Sequence, residues 1–198
     1  MKPADVMISE TFDAALIGEK FLSILTHAKS SGLLKKKSVI IPNSAIIFGE
    51  LMESTFSLRR GENNTSFLHS GKFNLEPMRK FRPANVYTVR YLNEMNAVRK
   101  RLSVTQPLFH YDFQNYSTAS NFAYKCLTFK VTKDGIFDSI GLWFNLYLDK
   151  EKTLIVSNSP YNDENFGKSS PCWMQYLYRV SQDVYLRKGE FVRKLFNL

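Results

Sequence analysis

Residues 136 to 148 hold the pattern that most limits what this chain can fold into. The even positions are Ile136, Asp138, Ile140, Leu142, Phe144, Leu146 and Leu148. Six of these seven are large and apolar, a period of two that puts them on one face of a long strand. Lys133-Asp134-Gly135 precedes the strand and reads as a hairpin turn, with Asp-Gly supplying the positive backbone angles. Asp149-Lys150-Glu151-Lys152 follows it as another turn. Shorter strand-like runs lie at 108–113, 122–131, 153–156, 174–180 and 190–195. Antiparallel hairpins at this spacing predict a sandwich or barrel.

The first third of the chain reads differently. A short apolar strand at 4–9 and a loop at 11–18 lead to a helix starting at Glu19. Ile17, Phe21, Ile24 and Ala28 fall on one helical face. Ser30-Ser31-Gly32 is the expected stop, because glycine accepts the left-handed cap conformation. Val39-Ile40-Ile41-Pro42 and 45–52 are short and rich in Ile, which suits a sheet. Residues 57–106 open with Gly, Asn, Pro and basic residues and then allow a helix over 86–102. This stretch reads as an excursion from the core.

With 198 residues, 44% hydrophobic and 23% charged, the chain can bury one core, or one core and a small appendage. It has no apolar run of transmembrane length, so no membrane partner is expected. Residues 1–12 carry Asp5 and Glu10 and show no secretory pattern. The two cysteines, Cys126 and Cys172, form neither a disulfide framework nor, with His27, His69 and His110, a metal spacing. A reduced, intracellular setting (cytoplasmic, with the nucleus open) is expected. The net charge of +9 is spread over clusters such as Lys35-Lys36-Lys37 and Arg99-Lys100-Arg101. A solvated face is the simpler reading of each cluster, and a nucleic-acid-binding β domain is the alternative they keep open.

Three carboxylates, Glu10, Asp13 and Glu19, sit in the otherwise apolar stretch 9–19. A loop that folds back between Glu10 and Glu19 can bring the two glutamates together. Facing carboxylates repel unless a cation lies between them, and a planar guanidinium offers paired N–H donors to each. The plainer reading is that Glu10 ends a strand and Glu19 complements the helix dipole.

Ser9-Glu10 followed by Gly18-Glu19 resembles the double-glutamate loop of the protein arginine methyltransferases. Later segments resemble that family in the same order. They are His27-Ala28, the run from Val39 to Ala45, Ile46-Ile47-Phe48-Gly49-Glu50, Tyr111-Asp112-Phe113, Lys133-Asp134-Gly135, Leu142-Trp143-Phe144, Ser157-Asn158-Ser159-Pro160 and Cys172-Trp173-Met174-Gln175. Together they cover nearly the whole chain, and they look most like members built from two tandem methyltransferase modules.

The resemblance implies a mainly β fold: an antiparallel β-barrel over 32–198, with an arm-like insertion at about 57–106. Residues 1–31 would be a strand and helix remnant of the Rossmann-like catalytic sheet. It also implies that Glu10 and Glu19 grip a substrate arginine and align it for direct methyl displacement. Trp173 would border the substrate pocket or serve as a core aromatic. Cys172 stands where the family has a histidine. The implied partners are an arginine-containing protein and either a sister methyltransferase module or a second copy. The parent family uses S-adenosylmethionine. This sequence has no Gly-x-Gly, and few residues precede Glu10, so no donor site is expected in it. The expectation is therefore a fragment that binds arginine-bearing segments without transferring methyl groups alone, with a catalytically dead scaffold barrel as the alternative. The strand at 4–9 and the glutamate loop are expected to lack the support of neighbouring strands.

Overall fold

The computed structural model describes residues 2–54, 87–92, 99–117, 125–161 and 172–196. Of the arm-like stretch, 57–86 and 93–98 lie outside the described residues. The fold is mainly β, with 57% strand and 7% helix. Its principal sheet curls into an antiparallel half-barrel that does not close among the described residues.

The long alternating segment is β8 (Gly135–Tyr147), and it is the spine of this sheet. It pairs antiparallel with β3 (Ser44–Ser54) on one side and β10 (Gln175–Leu186) on the other, and β9 (Ile155–Ser157) also pairs with it. β4 (Tyr87–Arg90) pairs with β10. β5 (Arg99–Arg101) and β6 (Gln106–Asp112) pair with β3. The helix expected over 86–102 is thus replaced, wherever that stretch is described, by β4 and β5. Its apolar residues answered to the sheet and not to a helical face.

The alternation along β8 marks the core-facing side from Ile140 to Leu146, whereas at the strand's start Ile136 is exposed and Phe137 joins the core; beyond that both faces are covered. Ile140, Leu142, Phe144 and Leu146 enter two apolar clusters. The opposite face buries Trp143 and the carboxylate of Glu50, which is fully enclosed. Tyr161 donates its hydroxyl to Glu50, Arg101 Nε donates at 2.9 Å, and Thr105 Oγ1 donates at 3.2 Å. The Arg101 guanidinium also lies 4.3 Å over the Tyr161 ring. A buried carboxylate is tolerated only with such a set of donors.

Asp134-Gly135 does not make the expected tight hairpin. The strand before it, β7 (Lys125–Lys130), pairs with β11 (Phe191–Phe196) and not with β8. The left-handed glycine in this corner is Gly189, at φ 97°, while Gly135 is not among the positive-φ residues. Asp134 instead accepts the Lys188 N–H at 2.6 Å and joins the two corners. A Cβ on Gly135 would fall 2.4 Å from Glu53 Oε2, so close packing explains this glycine. The turn at Asp149 is as expected: its carboxylate accepts Thr153 N–H and Oγ1–H and the Leu154 N–H, while Lys152 takes φ 60°.

At the front of the chain, β1 (Ala4–Ile8) pairs in parallel with β2 (Leu34–Ile41), and α1 (Phe21–Ser30) connects them. Gly32 ends the helix at φ 67°, with Leu33 N–H on Ala28 O and Gly32 N–H on Lys29 O. These bonds are the paired ones of a Schellman stop. The buried helix face is Phe21 and Leu25, whereas Ile24 is exposed, so the face lies one position from the expected one.

Candidate functional site

The loop from Ser9 to Lys20 is built into the core. Phe12 and Leu16 are buried in the same apolar cluster as Phe21, Leu25, Phe113 and Phe144. The Phe12, Phe21 and Phe113 rings touch with centroids 4.6 to 6.2 Å apart. Burying a Phe or Leu side chain stabilises by about 1.5–3 kcal/mol, so these two residues fasten the loop from its middle. The loop takes its anchorage from the half-barrel and α1 and not from further strands beside β1.

The loop's own shape is set by Asp13. Its Oδ1 accepts the Ala15 and Gly18 N–H groups, each at 3.1 Å, and its carbonyl accepts Leu16 N–H at 2.9 Å. Gly18 fits because a Cβ there would fall 2.0 Å from Asp13 Oδ2. Leu16 and Lys20 take φ of 80° and 63°, turning the chain back before the helix. Ser9 Oγ and Thr11 Oγ1 share a 2.8 Å hydrogen bond at the loop's entry.

Glu10 and Glu19 stand at the two ends of this scaffold. Both are exposed, and among the described residues neither carboxylate is in an ion pair or side-chain hydrogen bond. They are therefore available to an incoming cation.

Trp173 joins the loop to the half-barrel. Its Nε1–H donates to Phe12 O at 2.8 Å, and its ring meets Phe144 edge-on at 5.6 Å. The neighbouring Met174 is held by Asn158, whose Nδ2 donates to Met174 O at 2.9 Å while its Oδ1 accepts Phe144 N–H at 2.7 Å. Gln175 Nε2 donates to Asn158 O at 2.6 Å. Cys172, next to Trp173, is exposed and forms no disulfide with Cys126.

Lys29, in the last turn of α1, donates to the carbonyls of Phe113, Gln114 and Tyr116 at 3.1, 2.9 and 3.4 Å. Burial pulls its ammonium below the ordinary lysine range, and the Asp112 charge partly restores it. Gln114 then serves the edge of β2, accepting Ile40 N–H at 3.1 Å and donating to Ser38 O at 2.8 Å. Reading the sequence gave Asp13, Lys29, Gln114 and Asn158 no role. An Asp five residues before a Gly was the one visible signal among them.

No family profile matches the chain. It is 28% identical over 188 residues to an arginine N(omega)-methyltransferase of Streptomyces achromogenes subsp. streptozoticus, an alignment covering 95% of this chain and 47% of that protein. It is 27% identical over 161 residues to protein arginine N-methyltransferase 7 of Oryza sativa subsp. japonica, covering 80% of this chain and 22% of the relative. It is 27% identical to human protein arginine N-methyltransferase 9 across 94% of this chain and 24% of that protein. The chain spans less than half the length of each of these relatives. By sequence the chain is similar to these arginine methyltransferases, in each case over only a part of the relative.

Proposed function

We propose that this chain carries the guanidinium-gripping side of a protein arginine methyltransferase. Glu10 and Glu19 accept N–H groups of a substrate arginine and offset its charge. Trp173 holds the loop that bears them and borders the place where the arginine lies. The observation that supports this reading most is the loop itself: two exposed, unpaired glutamates flank a segment pinned by Phe12, Leu16 and the Trp173 indole. A fixed loop confines its carboxylates before the ligand arrives, which lowers the ordering cost of binding.

In the parent family the methyl donor is S-adenosylmethionine, which supplies the electrophilic methyl group. The described residues do not fit it well. Among the described residues, the helix that follows a parallel strand is α1, which begins after Lys20 with no side-chain cap and no glycine-rich turn. The donor would be held by a methyltransferase module outside the residues described. The role assigned to this chain is to bind the guanidinium, orient it and exclude alternatives to it, within an intracellular assembly acting on arginine-bearing protein segments.

The test is calorimetric titration of the chain with an arginine-bearing peptide and with its lysine counterpart. The expected result is saturable binding of the arginine peptide, weak binding of the lysine peptide, and loss of both in Glu10→Gln and Glu19→Gln with circular dichroism unchanged. Equal binding by the two variants would leave a scaffold barrel as the better reading. Binding only to oligonucleotides, falling steeply with salt, would favour the nucleic-acid reading.

A further inference from the structure

The two-stranded ribbon of β7 and β11 concentrates the charge of the chain. Residues 125–134 and 187–196 contain Lys125, Lys130, Lys133, Arg187, Lys188, Arg193 and Lys194 against two acids, Asp134 and Glu190. Seven cations against two carboxylates leave a surplus of five, more than half of the chain's net +9, in twenty residues. The two acids are also occupied. Asp134 accepts Lys188 N–H at 2.6 Å and Glu190 Oε2 accepts Arg187 N–H at 2.7 Å. Among the described residues, none of the seven cations is in an ion pair.

The ribbon's register sorts its side chains. One face carries Val192 beside Phe129, with Leu127 and Phe196, and packs on the core. The other carries three rungs, Phe191 with Lys130, Arg193 with Thr128, and Leu195 with Cys126, all of them exposed. Phe191 and Leu195 are 67% and 58% exposed, flanking Arg193 two residues from each. Isolated apolar residues on a surface need no explanation. An aromatic and an aliphatic side chain flanking Arg193 on one strand face, with Lys130 across from Phe191, form a pattern with a complement.

We infer that the outward face of the β7–β11 ribbon docks an acidic polypeptide segment whose carboxylates alternate with apolar side chains. The carboxylates would meet Arg193 and Lys130, and the apolar side chains would cover Phe191 and Leu195. A second copy of the chain is a poor occupant, since it would bring the same cations against these. A nucleic-acid backbone would satisfy the charges but leave the aliphatic Leu195 rung without a partner.

The test uses fluorescence anisotropy of the whole chain with three labelled probes. These are a short peptide alternating Glu with Leu and Phe, a peptide of equal charge with Ser in place of Leu and Phe, and a single-stranded oligothymidylate. The variant is F191S/R193E, and unchanged near-ultraviolet dichroism verifies its fold. L195S is a second, uncharged variant. The inference predicts saturable binding of the amphipathic peptide, weakened on the order of tenfold by each variant and for the Ser peptide. It also predicts that bound peptide slows alkylation of the exposed Cys126. No binding, equal affinity for the Ser peptide, unchanged affinity in both variants, or tighter binding of the oligothymidylate would each overturn it.

Discussion

The indole N–H of Trp173 ends on the carbonyl of Phe12, 161 positions away in sequence, at 2.8 Å. A residue from the far end of the chain thereby holds the middle of the loop that bears Glu10 and Glu19. Trp173→Phe keeps a ring against Phe144 but leaves the Phe12 carbonyl without its donor. The expected cost is about 1–2 kcal/mol in urea denaturation. Amide exchange at Ala15 and Gly18 should quicken by more than that of β8. Equal quickening in both places would show that the bond supports global stability alone.

Gly18 and Asp13 are matched in the same loop. Gly18→Ala drives a Cβ onto the Asp13 carboxylate and breaks the bonds to Ala15 and Gly18. The expected loss is about 1–3 kcal/mol, together with the arginine-peptide binding proposed above. Asp13→Asn keeps an oxygen for those amides and should cost less than half as much. If Asn were the costlier change, the charge of Asp13 and not its acceptor geometry would be what matters.

Glu50 is a buried anion held by Arg101, Thr105 and Tyr161. Glu50→Gln keeps the size and an acceptor oxygen but removes the charge facing Arg101. Because Arg101 is partly exposed, solvent screens the pair. The expected destabilisation is about 1–2 kcal/mol, well below that for a fully buried pair. A thermal melt that does not move would mean the Arg101 contact is neutral to stability.

Asp138 should leave a signature in acid. Burial pushes its carboxyl above the usual aspartate range, Ser139 and the Ser54 N–H pull it part of the way back, and the Asp183 and Glu53 charges add to the rise. A carboxyl raised on folding costs stability when ionised. That cost shrinks as pH falls through the raised value and is gone below the unfolded value near 3.8. Measured against Asp138→Asn, the wild type should therefore gain relative stability as pH drops from neutral toward 4. A difference that stays flat over that range would refute the assignment.

How much of this was legible in the sequence depended on how local the cause was. The period of two along β8 from Ile140 onward, the Gly32 stop and the Asp149 turn are each decided within a few residues, and each appears as read. The stretch 86–102 was misread because β4 and β5 owe their conformation to β10 and β3, distant in sequence. Asp134-Gly135 was misread for a related reason: a two-residue turn signal cannot show that the flanking strands pair elsewhere. Ile24 was placed on the buried face because a helical wheel gives a stripe but not which edge of it meets the sheet. Of the candidate site, the two glutamates and Trp173 were visible as residues. The carbonyl that Trp173 reaches was not, since nothing in the sequence joins position 173 to position 12.

The pairing of β8 with both β3 and β10 also bears on how the chain assembles itself. Ser44 faces Tyr147, about a hundred positions downstream, and Leu177 faces Gly141. During synthesis β3 emerges long before its main partner exists, and among the described residues β5 and β6 are the strands that pair with it in the interval. Closing such large loops before any reward makes folding slow. The nascent Ile46-Ile47-Phe48 segment would stay open to chaperones, or to a neighbouring nascent copy, until β8 leaves the ribosome and claims it.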